Sequence, residues 1–171
     1  MPRLFRPSDH GEQVAAHHLV GKLVFYEEAA RVPLLVSWKG VIRPGEVNRN
    51  ELVSGVDVLP TLCDYAMVPV PEGLAGRSVR PLIERRQTSW REYLVSELFD
   101  GRMLRTESHK YLRFKRDETA EFFFDLRRDP GEESDLVSAR ENTAELERNR
   151  DLLDTWMEQT GGTFERTRVR L

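Results

Sequence analysis

Ser8-Asp9-His10-Gly11-Glu12 opens a stretch that runs through His17-His18, Gly21-Lys22 and Phe25-Tyr26-Glu27-Glu28 to Arg31-Val32-Pro33-Leu34-Leu35-Val36-Ser37-Trp38. Four kinds of chemistry lie close together in it. Asp9 and His10 are adjacent potential metal ligands, ahead of a glycine that frees the backbone to turn. His17 and His18 bring imidazoles, the side chain suited to proton exchange near neutrality. Lys22 follows a glycine and can deliver a point charge to an anion. The apolar run at 32–36 has the composition of a buried strand that would anchor the loop.

An Asp-His pair alone is an ordinary turn; the ordered set is more specific. Ser-Asp-His-Gly-Glu, a Gly-Lys whose lysine stands twelve positions after His10, Tyr-Glu-Glu, and Arg-Val-Pro before an apolar run ending in Trp-x-Gly together resemble the C-terminal half of the sulfatase family, of the alkaline-phosphatase superfamily. The resemblance continues through Leu-Val-Ser-Gly-Val-Asp-Val-Leu-Pro-Thr-Leu (52–62), Gly-Arg-Ser-Val-Arg-Pro-Leu (76–82) and Phe-Asp-Leu-Arg-Arg-Asp-Pro-Gly-Glu (124–132). It spans residues 8–136.

Bulk properties narrow the alternatives. A chain of 171 residues can bury a real core, and 39% hydrophobic with 32% charged residues describes a well-wetted surface. The net charge of −3 gives no footprint for nucleic acid. The short basic tail (Arg166, Arg168, Arg170) reads as a frayed terminus. The single cysteine, Cys63, allows neither an intramolecular disulfide nor a thiolate cluster. No apolar run approaches membrane-spanning length and the first seven residues do not form a signal peptide, so neither a membrane partner nor export is expected, and the chain as given reads as cytoplasmic.

Along the chain, Pro2 and Pro7 argue against a central strand before Ser8. Residues 11–22 read as a loop or short helix, and 23–31 as an amphipathic connection. The run 32–38 reads as a strand covered on both faces. Asp57 is placed to N-cap a helix over 58–67 with Pro60 in its first turn, and a short helix follows Ser78. From Trp90 the texture changes. Short β-rich runs at 93–99, 102–106, 110–114 and 121–125, separated by Asp100-Gly101, Glu107-Ser108 and Asp117-Glu118, predict an antiparallel meander of three or four strands. Ser138-Ala-Arg-Glu141 fits a capping box, and Leu146, Leu153, Trp156 and Met157 form one stripe on the helix that follows, ended by Gly161-Gly162.

The expected fold is therefore α+β: a remnant of the sulfatase α/β core over 1–89, carrying the metal and anion loop, then a C-terminal antiparallel sheet packed by a long helix over 90–171. The resemblance implies that Asp9 and His10 are metal ligands for a divalent cation, calcium first and manganese second. It implies that Lys22 reaches an oxygen of a sulfate or phosphate ester, with His17 lining the substrate pocket. In the family a glycine follows the histidine at position 17; here His18 stands there. Glu12, Tyr26, Glu27 and Arg31 read as loop scaffolding. Sulfatases of this type use a formylglycine made from Cys or Ser in Cys/Ser-x-Pro-x-Arg; Cys63-Asp-Tyr-Ala-Met67 fails that pattern, and no serine begins it. Cys63 then reads as a buried structural thiol. The chain starts where the family's core sheet would already be built, so the expectation is a C-terminal fragment, inactive alone, with a weakly held metal. A phosphodiester or phosphonate monoester hydrolase of the same superfamily fits the motifs too, as does a non-enzymatic assembly module. With much of the core sheet missing, self-association through residues 23–67, or a mobile N-terminal half, is expected.

Overall fold

The β-rich runs after Trp90 form four antiparallel strands in chain order, each hydrogen-bonded to the next: β3 (Tyr93–Glu97), β4 (Gly101–Thr106), β5 (His109–Lys115) and β6 (Thr119–Asp125). These come from a computed structural model that describes residues 3–86, 88–115 and 119–161. Two-residue alternation gives this sheet two apolar faces. Leu104, Tyr111 and Phe123 lie side by side in the register and point one way. Met103, Leu112 and Phe124 point the other way. The first face packs on the helix Thr143–Thr160 through buried Leu146 and Leu153, with Trp156 and Met157 beside them. Each such side chain contributes roughly 1.5–3 kcal/mol of burial. The second face is covered by Phe25 from the loop before the sheet. Gly101 lies opposite Phe114, and a Cβ there would come within 2.6 Å of the Phe114 ring, so the close approach needs glycine.

By its internal contacts the chain divides into two compact units: Met1–Gly11 with Arg31–Arg91, and Glu12–Ala30 with Glu92–Leu171. The segment 12–30, expected to go with the first part of the chain, thus packs with the C-terminal sheet. It contains one three-residue turn of 3-10 helix and a short helix, α1 (Glu27–Ala30).

The other unit holds β1 (Arg3–Pro7) and β2 (Leu34–Trp38), paired antiparallel in a sheet of two strands. A strand does form before Ser8, with Pro7 at its end, where the missing N–H is tolerated. The expected cover on both faces of the second strand is absent within this unit. Its burial alternates, and Leu35 is 56% exposed.

The same unit holds α2 (Val58–Ala66) and α3 (Arg80–Ile83). Asp57 precedes α2, but its side chain makes no cap bond to that helix. Its carboxylate instead accepts from the Ser54 and Arg77 N–H groups at 2.8 and 2.9 Å and from both terminal nitrogens of Arg91 at 2.5 and 2.9 Å. Asp57 is 1% exposed, so four donors satisfy a buried charge. Cys63 is buried and free, as expected.

The capping box expected at Ser138 does not form. A 3-10 turn occupies Arg140–Asn142, and the helix Thr143–Thr160 (α4) starts after Asn142 without a side-chain cap. Gly161 ends α4 in the left-handed conformation, while Gly162 and the basic tail lie outside the described residues. No helix among the described residues is long and apolar enough to cross a membrane.

Candidate functional site

Asp9 and His10 follow the carboxyl end of β1. The Ser8 N–H donates to the Pro33 carbonyl at 3.3 Å, and the Ser8 hydroxyl donates to the His10 carbonyl at 2.9 Å, fixing the turn. His10 Nδ1 lies 2.8 Å from the Gly11 carbonyl. A carbonyl only accepts, so Nδ1 is the donor in this contact. The ring Nε2 lies 3.4 Å from Asp9 Oδ2. The Asp9 carboxylate and the His10 ring thus lie side by side after β1.

His17 and Lys22 belong to the other unit. The Gln13 N–H donates to the Gly21 carbonyl at 2.9 Å and closes the loop between them. Gly21 has φ +110°, which a side chain would strain, so the residue before Lys22 is constrained to glycine. Lys22 is exposed. His17 stacks on Tyr26, ring centroids 3.8 Å apart and 8° from parallel, with Nε2 3.6 Å from Glu28 Oε2.

His17 and Tyr26 line an open cleft of about 690 Å³ together with Glu28, Phe122, Glu132 and Asp135. Lys22 is not among its lining residues. With Glu133 the cleft carries four carboxylates, a wall that repels an anionic ester rather than attracting it. Ligand atoms of His17, Glu28 and Glu132 lie within 4.8 Å of one another, close enough to share a cation. The Glu132 carboxylate is already engaged, however. Its Oε1 is 2.7 Å from Lys110 Nζ, and its Oε2 accepts from the Glu27 N–H at 2.6 Å.

Lys110, on β5, is fully buried. Its ammonium also meets Glu27 Oε1 at 2.8 Å and donates to the Phe25 carbonyl at 2.8 Å. Arg105 adds a second cation 3.6 Å from Glu27, so two cations face two carboxylates. Burial pushes the Glu132 carboxyl above its ordinary range in spite of Lys110. Burial and then the charge of Glu132 raise the Tyr26 phenol. Glu27 is scaffolding, as its motif suggested. Lys110 and Glu132 escaped the sequence reading. The available signal was phase: Lys110 alternates with Leu112 and Phe114 on the inward face, and an inward lysine needs acidic partners.

Residues 15–159 match the family described as N-sulphoglucosamine sulphohydrolase, C-terminal. The chain belongs to the sulfatase family. Within it, and within the alkaline-phosphatase superfamily, this sequence corresponds to the C-terminal portion. An arylsulfatase of Clostridium perfringens is 31% identical over 155 residues, 85% of this chain and 31% of that protein. A crystal structure of a putative sulfatase from Bacteroides thetaiotaomicron superposes with a TM-score of 0.86 at 30% identity, covering 93% of this chain and 36% of the other. A phosphonate monoester hydrolase from Silicibacter pomeroyi shares the fold with a TM-score of 0.81 at 23% identity, covering 98% and 36%. The chain spans about a third of the length of the curated relatives it matches. Sulfatases are generally metal-dependent.

Proposed function

We propose that the chain is the C-terminal portion of a sulfate-ester hydrolase, with residues 1–89 from its α/β core, save the segment 12–30 that packs with the C-terminal sheet, and 90–171 its closing subdomain. Asp9 and His10 contribute two ligands to a divalent cation, calcium before manganese. Lys22, outside the acid-lined cleft, meets the non-bridging oxygens of the ester, while His17 on the same loop lines that cleft. The observation that carries this is the juxtaposition of the Asp9 carboxylate and His10 Nε2, 3.4 Å apart, after β1. A bound cation would neutralise developing charge on the ester. Calcium takes six to eight oxygen ligands, so two donors hold it weakly without others. Lys22 supplies a fixed positive charge where the transferring group gains negative charge.

No Cys/Ser-x-Pro-x-Arg occurs in these 171 residues, and Cys63 is buried. The isolated chain is therefore expected to show no aryl-sulfate hydrolysis above a Lys22→Ala control with calcium or manganese present. Turnover that the substitution abolishes would refute this part of the reading. Calorimetric titration with calcium should show weak binding that Asp9→Ala removes. Heat that is unchanged in Asp9→Ala would remove Asp9 and His10 from the metal site.

The shared fold with a phosphonate monoester hydrolase favours a second reading of the same residues, a phosphonate or phosphodiester hydrolase. Competition of sulfate against methylphosphonate for Lys22, followed by its NMR resonances, separates the two. A third reading, assembly with another copy through residues 23–67, draws on exposed Leu59, Leu62 and Met67. Sedimentation that is independent of concentration would exclude it.

A further inference from the structure

The segment 12–30 carries both His17 and Lys22, yet its regular structure amounts to one 3-10 turn and the four residues of α1. Local backbone bonds on that scale do not hold two side chains in place. What fixes the segment comes from the sheet. Phe25 is 3% exposed in the core, and beside it three polar contacts converge on Lys110. The ammonium touches the Phe25 carbonyl, the Glu27 carboxylate and the Glu132 carboxylate, while Glu132 accepts the Glu27 N–H. Both residues flanking Tyr26 are thus tied, and Tyr26 is the platform on which His17 stacks.

We infer that Lys110 and Glu132 are positioning residues for the loop that presents His17 and Lys22. The inference rests on the reading of that loop as the anion-binding element. Its physical basis is the direction of the contacts. A buried ammonium is strongly penalised unless its partners are in place, so it rejects any arrangement of the loop that withdraws Glu27 or the Phe25 carbonyl. An apolar side chain at the same inward position would contact the loop without selecting one register. Glu132 adds a second tie through the Glu27 N–H, and it arrives on the turn after β6, so the segment is held from two parts of the fold.

The test uses the full chain, the variants Lys110→Met and Glu132→Gln, and inorganic sulfate as the probe. The His17 ring resonances report the stack on Tyr26, and amide shifts in β4 and α4 report the fold. Lys110→Met is expected to move the His17 ring protons to positions typical of an unstacked histidine while the β4 and α4 amides stay in place. Sulfate affinity should fall about five-fold, because the competent loop is then populated about a fifth of the time. Glu132→Gln, which keeps an acceptor for the Glu27 N–H, should shift His17 in the same direction by less. If Lys110→Met does not fold, the His17 shift in Glu132→Gln decides. An unchanged His17 signal in the folded variants overturns the inference. Sulfate binding that Lys22→Ala leaves intact would instead overturn the anion-site reading, and the His17 signal would still decide the positioning role.

Discussion

Around the four-stranded sheet, both faces are enclosed, with α4 on Leu104, Tyr111 and Phe123 and the segment 12–30 on Met103, Leu112 and Phe124. The unit of β1, β2, α2 and α3 leaves Leu35, Leu59, Leu62 and Met67 in solvent and closes around the Asp57 carboxylate instead. One unit is organised by apolar burial in two layers, the other by a satisfied charge. The difference has a physical consequence. Apolar burial is spread over many contacts and degrades gradually, whereas a buried charge depends on each of its partners.

The largest expected effect therefore lies in the less apolar unit. Asp57→Ala removes the partner of Arg91, whose side chain is 8% exposed, and deprives the Ser54 and Arg77 N–H groups of their acceptor. Breaking one side of such a pair costs about 3–5 kcal/mol. Hydrogen exchange should accelerate at the amides of α2 and α3 while those of β4 and β5 keep their protection. Equal loss of protection in both would break the comparison, because the two units would then unfold as one.

Leu153→Ala probes the other side. Leu153 is fully buried between α4 and the sheet, and truncating it should cost about 3 kcal/mol in denaturant unfolding. Leu59→Ala on α2, where Leu59 is 48% exposed, should stay within about 0.5 kcal/mol. Similar costs at the two leucines would mean that Leu59 is covered in solution, as self-association would cover it.

At high pH the contrast sharpens further. Tyr111 donates its hydroxyl to Glu121, which also pairs with Arg150 of α4, and Arg113 donates to the Tyr111 oxygen at 2.9 Å. Burial, then the hydrogen bond to Glu121, pushes the Tyr111 phenol up to about 12. The folded state thus holds a proton that the unfolded chain releases near pH 10. The resulting stability is complete below pH 10 and is lost as pH rises towards 12, by about 2–3 kcal/mol. Urea midpoints measured between pH 9 and 11.5 should fall less steeply in Tyr111→Phe than in the parent. Parallel curves would place the alkaline sensitivity elsewhere.

How much of this was legible follows from the range of the interactions. The meander announced itself because strand alternation and turn residues are local, and the α4 stripe because helical spacing is local. Asp57 was read as a simple cap because the partner that claims it, Arg91, lies 34 residues away. The capping box at Ser138 failed for a related reason: the Leu136 N–H bonds to the Phe123 carbonyl and the Ala139 N–H turns back to Leu136, which draws that stretch into a turn before α4 can begin. At the candidate site, Asp9 and His10 could be proposed from the sequence because they are adjacent. Lys110 was not, since a lysine in a strand ordinarily reads as solvated, and the acids that bury it lie 83 positions before and 22 after it.

The smallest effect concerns the loop that joins the two kinds of information. Ala15, His17 and His18 all have positive φ, at 66°, 51° and 57°. For side chains other than glycine this conformation costs roughly 1–2 kcal/mol, somewhat less for histidine, which is found there more often than most. His18 occupies the position where the resemblance to sulfatases leads one to expect glycine, and its φ supplies the reason. His18→Gly removes the strain but gives the unfolded chain more freedom, worth roughly 0.5–1 kcal/mol against folding. The two nearly cancel, and a net stabilisation of about 0.5 kcal/mol is expected. Leu19→Gly is the control, since Leu19 has φ −110° and carries no strain to relieve. It should destabilise by about 0.5–1 kcal/mol. Thermal unfolding of the two variants side by side reads the sign directly. If His18→Gly falls as far as Leu19→Gly, the His18 side chain must be making a favourable contact in the acid-lined cleft that outweighs its backbone, and the loop would owe its shape to His18 as well as to Tyr26 and Lys110.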